Sequence, residues 1–404
     1  MRRMIPIFNN IGCKLQKGVE ARVVGHDAPV ELDMLSWMGR TALELIGQSG
    51  LGYSFDPLVA DSADEFGTAI KEFIPALVQI SLLRRLLPYL PDIGIPWLRR
   101  KILDLIPHEG LQRIRYIIDL LHQHSVAIYE EKKRVLEHGD EALSEKVGEG
   151  RDLMSILLKA NMSASAEDRL PDDELIGQVS TFIFAAMDTT SNALAMTLSL
   201  ISQHPDVQEN LRTEILEASD GEDLDYDKLV SLPYLDAVCR ETLRLHSPIS
   251  TAFRETRQDV VMPLSEPVIG LDGAKISETF VPKDTTVIVG IISWNRNKAV
   301  WGDDASEWKP ERWLSKLPAS VTEAKVPGIY SNLMTFLGGG RACIGFKFSQ
   351  LEMKVVLCQL LTRFTFAPSE KSVVWNFAGI QFPTVKGEMT PSLPLRVGLY
   401  RGSP

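Results

Sequence analysis

The chain has 404 residues, of which 45% are hydrophobic and 24% charged, the proportions of an ordinary folded globular protein. Its formal net charge of −10 argues against nucleic acid as a partner, because a nucleic-acid-binding surface needs concentrated positive charge. Its four cysteines are too far apart for a zinc site or a disulfide framework, and no run of about 18 apolar residues predicts a transmembrane segment.

The first half of the chain is predicted to be mostly helical. Apolar residues recur at helical spacing over three stretches, residues 30–50, 68–90 and 102–138. Several prolines interrupt residues 87–96 and predict a loop there. Residues 139–151 and 160–173 are charged and rich in small residues, which also indicates loops. The first of these could link two domains, but an excursion between helices fits its length better.

A long helix is predicted from Asp172 to about Gln203. Pro171 and the acidic residues after it suit a helix start, because proline fits the first turn and negative charge is stabilised by the helix dipole. In the middle of this helix, an acid and two hydroxyls (residues 188–190) interrupt the apolar pattern. Such groups are costly to bury without partners. They indicate either a functional site or a polar turn that faces solvent.

Glu241 and Arg244 lie three residues apart in the next helical segment, so their side chains can pair. An exposed pair would contribute little to stability, and many helices carry such pairs by chance. The spacing alone therefore selects no function. Short β-branched stretches bounded by Gly, Pro and Asp follow and predict strands at residues 260–262, 268–270, 280–281 and 285–289.

The most informative segment is FLGGGRACIG at residues 336–345. Cys343 stands among glycines that allow close backbone approach, two residues after Arg341, which can hold a carboxylate through two hydrogen bonds. A run of helix formers follows, and a helix start stabilises negative charge on sulfur. These features suit a thiolate beside a flat, anionic cofactor such as haem. Glycine-rich loops also bind phosphate, but the phosphate-loop signature requires a lysine and a Ser or Thr that are absent here.

This segment resembles the haem-binding signature of the cytochromes P-450, in which Phe, Gly, Arg, Cys and Gly recur at fixed spacing. The five matching positions, which we expect to bind the cofactor, are Phe336, Gly339, Arg341, Cys343 and Gly345. The resemblance implies a mainly α fold with a minor β portion and a single P-450 domain over residues 1–404. It also implies haem b (heme b) as the cofactor, with Cys343 as the ligand of its iron.

The likeness extends to the predicted long helix. Residues 185–189 align with a family stretch that lies over the haem, which implies catalytic roles for Asp188 and Thr189. Thr189 would hydrogen-bond the oxygen under reaction, and Asp188 would help to relay protons. Ala186 stands where the family usually has glycine, and its methyl group would narrow the oxygen-binding groove.

Two arginine assignments also follow from the resemblance. Glu241 and Arg244 would join Arg312 of a Pro-Glu-Arg segment in a buried structural network. Arg254 would meet one haem propionate while Arg341 meets the other, since two arginines suit two carboxylates.

The implied function is that of a haem-thiolate monooxygenase that hydroxylates or epoxidises a small apolar substrate. Residues 180–185, 249–253 and 377–382 would form the substrate walls. Electrons would come from NADPH through a separate flavoprotein reductase, since no nucleotide-binding fingerprint is visible. This reductase would dock near Cys343, where Arg341, Lys347 and Lys354 would offer positive charge.

The resemblance is greatest to fungal members, as in residues 294–296 and 301–302, and suggests a role in fungal secondary metabolism. The family's N-terminal anchor and first helices have no counterpart, so we expect an N-terminally truncated fold. Family members of this type lie on the cytoplasmic side of the endoplasmic reticulum, whereas the sequence as written predicts a soluble, cytoplasmic protein. The alternatives are a haem-thiolate isomerase or dehydratase, and a catalytically impaired paralogue or gene-model fragment.

Overall fold

Helices form most of the chain in the computed structural model, which describes residues 1–56, 58, 65–89, 94–137, 152–221, 223–324 and 326–402. The first helices are α1 (Ile5–Val23), α2 (Met34–Ile46), α3 (Glu65–Lys71), α4 (Phe73–Gln79), α5 (Pro96–Leu105), α6 (Glu109–Glu137) and α7 (Leu153–Ser163). The later ones are α8 (Asp172–Gln203), α9 (Pro205–Ser219), α10 (Tyr226–Ser231), α11 (Pro233–Leu245), α12 (Ile291–Asn295), α13 (Lys298–Trp301), α14 (Ala319–Thr322) and α15 (Phe346–Leu361).

The strands form small antiparallel sheets. They are β1 (Val30–Asp33), β2 (Thr251–Glu255), β3 (Val260–Ile269), β4 (Lys275–Val281), β5 (Thr286–Gly290), β6 (Phe364–Pro368), β7 (Val373–Ala378), β8 (Ile380–Val385) and β9 (Pro394–Leu399). One sheet has the order β1-β9-β6, and the pairs β2-β5, β3-β4 and β7-β8 form the others. A mainly α fold with a minor β portion is therefore confirmed.

The predicted long helix is confirmed as α8, which runs from Asp172 to Gln203. Its first turn carries three acidic residues, as the helix dipole favours. Its second half is buried almost completely. α2, α11 and α15 pack against α8, and α6 packs against its first half, where Ile128 and Tyr129 meet Leu175 and Val179. The main hydrophobic core lies around this half and includes α1, α9 and the three-stranded sheet. Position 188 and the residues after it are thus held by surrounding helices.

The helices predicted at residues 30–50, 68–90 and 102–138 are each interrupted. Residues 30–33 form β1, and Asp33 then caps α2 by accepting a hydrogen bond from the Leu35 N–H at 3.0 Å. Residues 68–90 contain α3, α4 and a short 3-10 helix at Leu83–Tyr89. α5 ends at Leu105 because the following Pro107 disfavours helical backbone at Ile106, whose ψ is 111°.

The strand predictions located the β structure but not its boundaries. Residues 260–262 and 268–270 were predicted as two strands, yet a single strand, β3, covers residues 260–269, with a shift of register between Pro263 and Val268. Residues 280–281 are the end of β4, and residues 285–289 correspond to β5. The loop predicted at residues 139–151 and part of that at 87–96 lie outside the described residues. No helix in the described ranges is long and apolar enough to cross a membrane.

Candidate functional site

A mostly apolar cavity of about 200 Å³ lies between α8, α15 and the segment that carries Cys343. α8 contributes Thr189, Thr190 and Ala193 to its wall. The start of β2 contributes Ala252, and α15 contributes Ser349 and Met353. The glycine-rich segment contributes Phe336, Arg341 and Cys343. The structure therefore brings four of the predicted site residues together: Thr189, Phe336, Arg341 and Cys343.

The glycine-rich segment is a tight loop that needs its glycines. The Cys343 N–H donates to the Phe336 carbonyl at 2.9 Å and closes the loop around a short 3-10 helix at Gly339–Arg341. A side chain at Gly338 would overlap the Pro327 carbonyl oxygen. Gly339 has a φ of 67°, in the left-handed region that favours glycine. This backbone presents Cys343 directly before α15.

Cys343 is an exposed free cysteine on the cavity wall. Partial burial of its thiol raises the pKa, and a hydrogen bond with the Gly345 backbone opposes that rise. The sequence led us to expect stabilisation of negative charge by the helix start. The backbone acts in that direction, but burial has the larger effect on the protein alone.

Asp188 and Thr189 are adjacent in sequence but have different surroundings. The Thr189 hydroxyl donates to the Ala185 carbonyl at 2.8 Å, and the residue lines the cavity. Asp188 is buried outside the cavity lining, where it accepts hydrogen bonds from Lys71 Nζ at 2.8 Å and from Asn192 Nδ2 at 3.0 Å. Sequence reasoning missed Lys71, because a single lysine at the end of a short helix carries no sign of a partner 117 residues away.

The chain matches known proteins along almost its whole length. A family model described as "Cytochrome P-450" matches residues 1–389. The chain is 57% identical over 398 residues to Cytochrome P-450 monooxygenase 91 of Postia placenta, which covers 98% of this chain and 73% of that protein. It is 48% identical over 404 residues to ganoderic acid synthetase CYP5150L8 of Ganoderma lucidum, which covers 98% of this chain and 74% of that protein. The chain belongs to the cytochrome P-450 family.

The fold of this P-450 agrees with a solved relative. The crystal structure of a cytochrome P-450 (CYP102L1) superposes with a TM-score of 0.69 at 23% sequence identity, covering 98% of this chain and 74% of that one. Haem with a thiolate-bound iron is the cofactor of this family. The cavity suits such a group, because it is mostly apolar and has both a cysteine and an arginine in its wall.

The remaining predicted cofactor-binding residues lie around this cavity without lining it. Gly339 and Gly345 form the backbone on either side of Arg341 and Cys343. Arg254 lies on β2, two residues beyond Ala252, and is exposed. Its Nη1 donates to the Phe253 carbonyl at 2.8 Å. Arg341 is therefore the arginine that this structure places in the cavity wall.

The predicted network of Glu241, Arg244 and Arg312 is confirmed as buried. Arg244 makes a two-pronged contact with Glu241, at 2.8 Å from Nε and 2.7 Å from Nη2, and both side chains are fully buried. Arg312 approaches the same carboxylate at 3.4 Å. Arg244 Nη1 also donates to the Asn295 and Ala305 carbonyls. The network therefore ties α11 to the segment that leads towards the Cys343 loop.

The prediction that Lys354 offers positive charge to the reductase is wrong. Lys354 is buried in α15, and its Nζ pairs with Asp236 Oδ1 of α11 at 2.7 Å. It cannot present charge to a partner, because both faces of α15 are packed against other elements. Arg341 and Lys347 are exposed beside Cys343, as expected.

The three stretches predicted to form the substrate walls lie in two different places. From residues 249–253, Ile249 and Ala252 line the cavity. From residues 180–185 and 377–382, Phe184 packs with Ile380 and Phe382 in a separate cluster that also includes Ile74. These two stretches meet each other but do not line the cavity beside Cys343.

Proposed function

We propose that this P-450 is a haem-thiolate monooxygenase in which Cys343 binds the haem iron. The observation that carries the proposal is the convergence of Cys343, Arg341 and Thr189 on one mostly apolar cavity. Haem, when bound by a cysteine thiolate, supplies the oxygen-cleaving chemistry. The product would be a hydroxylated or epoxidised small molecule.

The protein's contribution is to position groups and to control protons. The closed loop holds the Cys343 sulfur at the cavity wall, and Arg341 offers a guanidinium that can hold a haem carboxylate through two hydrogen bonds. The Thr189 hydroxyl donates a hydrogen bond to the Ala185 carbonyl, so its oxygen can accept a hydrogen bond from a group in the cavity. Thr189 therefore orients a proton donor at this wall.

Asp188 would serve as the acid behind Thr189. Its carboxylate is held by Lys71 and Asn192, on a different face of α8 from the cavity-lining hydroxyls. To relay a proton towards Thr189, the Asp188 carboxylate must first accept one from solvent, and its side chain must then leave Lys71 and change rotamer. Lys71 would thus control when Asp188 is available to the cavity.

The substrate proposed is an apolar small molecule of fungal secondary metabolism. The mostly apolar cavity wall supports the apolar character. The match to a protein named ganoderic acid synthetase, at 48% identity, supports the biosynthetic role. We place the protein on the cytoplasmic side of the endoplasmic reticulum, as its resemblance to that class of P-450 suggests.

Electrons would come from an NADPH-dependent flavoprotein reductase. Exposed Arg341 and Lys347 lie beside Cys343 and could attract an acidic partner. The presence of both Asp188 and Thr189 favours a monooxygenase. An isomerase or dehydratase reduces no oxygen and therefore needs no residues that deliver protons to it.

The test is the carbon monoxide difference spectrum of the reduced protein loaded with haem. We expect the strongly red-shifted Soret band of a thiolate-ligated haem, and loss of that band in Cys343→Ser. Cys13→Ser is the matched control, because Cys13 lies on α1, near Gln359 and outside the cavity lining. An unshifted band in the wild type would contradict Cys343 ligation, and no haem uptake would contradict the haem-enzyme function.

A further inference from the structure

Leu337 has a backbone conformation that leucine resists. Its φ is 53°, in the left-handed region, where the Cβ of an ordinary residue is crowded by the backbone. Six residues other than glycine have a positive φ in the described ranges, and three of them, Ser331, Asn332 and Leu337, lie in the segment just before Cys343. Such strained conformations concentrate at functional sites, where the surrounding structure holds them in place.

Hydrogen bonds fix the Leu337 backbone on both sides. The Leu337 N–H donates to the Met334 carbonyl at 2.8 Å, and the Leu337 carbonyl accepts from the Ile329 N–H at 3.0 Å. The next residue, Gly338, approaches Pro327 so closely that a side chain there would overlap the Pro327 carbonyl. The backbone at Leu337 therefore cannot relax to a negative φ without breaking these contacts.

A comparison with Leu58 shows that packing in the core does not explain leucine at position 337. Leu58 also has a positive φ, of 61°, but its side chain is 0% exposed within the main core. Burial of an apolar side chain offsets the cost of that backbone conformation. Leu337 is only half-buried, and it belongs to none of the hydrophobic core clusters formed by the described residues. A different contact must favour leucine there.

Leu337 lines the cavity that Cys343 also lines. The preceding residue, Phe336, lines it too, and the Phe336 carbonyl accepts from the Cys343 N–H at 2.9 Å. Successive side chains of an extended strand point to opposite sides, so the turn between Met334 and Leu337 is what allows two neighbours to share one wall. Glycine at position 337 would adopt this backbone without strain, but it would leave the wall without an apolar side chain.

We propose that Leu337 is a positioning residue for the cofactor, and that its strained backbone is retained because its side chain packs against haem beside Cys343. The side chain adds apolar contact and excludes water from this wall, and no bond is made or broken there. The strain lowers the stability of the protein without haem, and contact with haem offsets it. The proposal rests on the proposed function in taking haem as the group that this cavity holds.

The experiment compares Leu337→Gly with Leu337→Ala. Both substitutions remove the apolar side chain, but only glycine relieves the left-handed backbone. Transfer of haem to excess apomyoglobin, followed by absorbance, should be about tenfold faster than in the wild type for both variants, because each loses most of the apolar contact of a leucine. In the haem-free protein, the midpoint of thermal unfolding should be about 2 °C higher for Leu337→Gly than for Leu337→Ala.

Ser331→Gly is the matched control, because Ser331 has a φ of 52° in the same segment but is not among the residues that line the cavity. It should raise the midpoint of thermal unfolding and leave the rate of haem loss unchanged. Wild-type rates of haem loss in both Leu337 variants, or equal unfolding midpoints for the two, would overturn the Leu337 assignment alone. A wild type that takes up no haem would overturn the proposed function and this inference with it.

Discussion

At the scale of single residues, two threonines of α8 make the same local hydrogen bond but differ in whether they line the cavity. Thr181 and Thr189 each donate to the carbonyl four residues earlier in α8, both at 2.8 Å. Only Thr189 of these two lines the cavity. Any difference between their alanine variants therefore reports on the cavity and not on helix stability.

We predict that Thr189→Ala uncouples NADPH consumption from product formation. Removal of the hydroxyl eliminates the group that orients a proton donor, and such groups contribute roughly 10²-fold or more to rate. Product per NADPH should fall steeply while NADPH oxidation continues, and Thr181→Ala should behave as the wild type. Retention of product formation in Thr189→Ala would favour the isomerase or dehydratase alternative. The measurement is product yield and NADPH oxidation in the presence of the reductase.

His246, at the end of α11, gives a pH prediction. Burial, together with the positive charges of Arg296 and Arg244, lowers its pKa from 6.5 to about 4. Since the folded state holds this ring neutral, the unfolded state binds the proton first as the pH falls. The contribution of the neutral His246 ring to the free energy of unfolding is therefore fully present above pH 6.5 and is lost as the pH falls towards 4.

We expect His246→Gln to reduce this acid sensitivity. The free energy of unfolding of the wild type should fall between pH 6.5 and 4 by at most about 3 kcal/mol more than that of the variant. Urea unfolding at several pH values measures the difference. Identical pH dependences for the two proteins would show that His246 titrates normally in the folded state.

At the scale of the elements, α8 was predictable from end to end, because its apolar spacing and first-turn acids are local signals. The three-stranded sheet was not, because β9 pairs Val397 with Val30, from the opposite end of the chain. Lys354 was misread for a related reason. A lysine in a helix is usually exposed, and only the packing of α11 on α15 shows that this one is buried beside Asp236.

The Cys343 loop could be predicted from sequence because a cluster of glycines indicates a tightly turned backbone. The structure was needed to show why each glycine is required. Gly338 is needed for space, since a Cβ there would overlap the Pro327 carbonyl. Gly339 is needed for its positive φ of 67°. Gly340 has neither constraint, since a Cβ there would meet open space.

These neighbouring glycines give a matched pair of variants. We predict that Gly338→Ala displaces the loop and abolishes the red-shifted carbon monoxide band, whereas Gly340→Ala retains it. Thermal unfolding should show that both variants are folded, since none of the fully buried residues of the main core belongs to residues 336–345. Equal haem spectra for the two variants would contradict the steric requirement at Gly338.

At the scale of the whole molecule, the Glu241–Arg244 pair joins segments that are far apart in sequence. Arg244 donates to the carbonyls of Asn295, Ala305 and Glu307, and Glu241 accepts from the Trp313 indole at 2.9 Å. Both charged side chains are fully buried, and Arg312 bridges Glu241 to Asp304. This one charge pair thus ties α11 to residues 295–313, which precede the Cys343 loop.

Breaking this pair should destabilise the protein strongly. Arg244→Ala leaves the Glu241 charge buried with its main partner removed, a change that typically costs about 3–5 kcal/mol. Arg100→Ala is the control, because Arg100 and Asp119 form a partly exposed pair, and such pairs contribute at most about 1 kcal/mol. Chemical unfolding with the haem spectrum recorded in parallel makes the comparison. If Arg244→Ala costs no more than Arg100→Ala, the buried pair does not contribute the stability that its complete burial predicts.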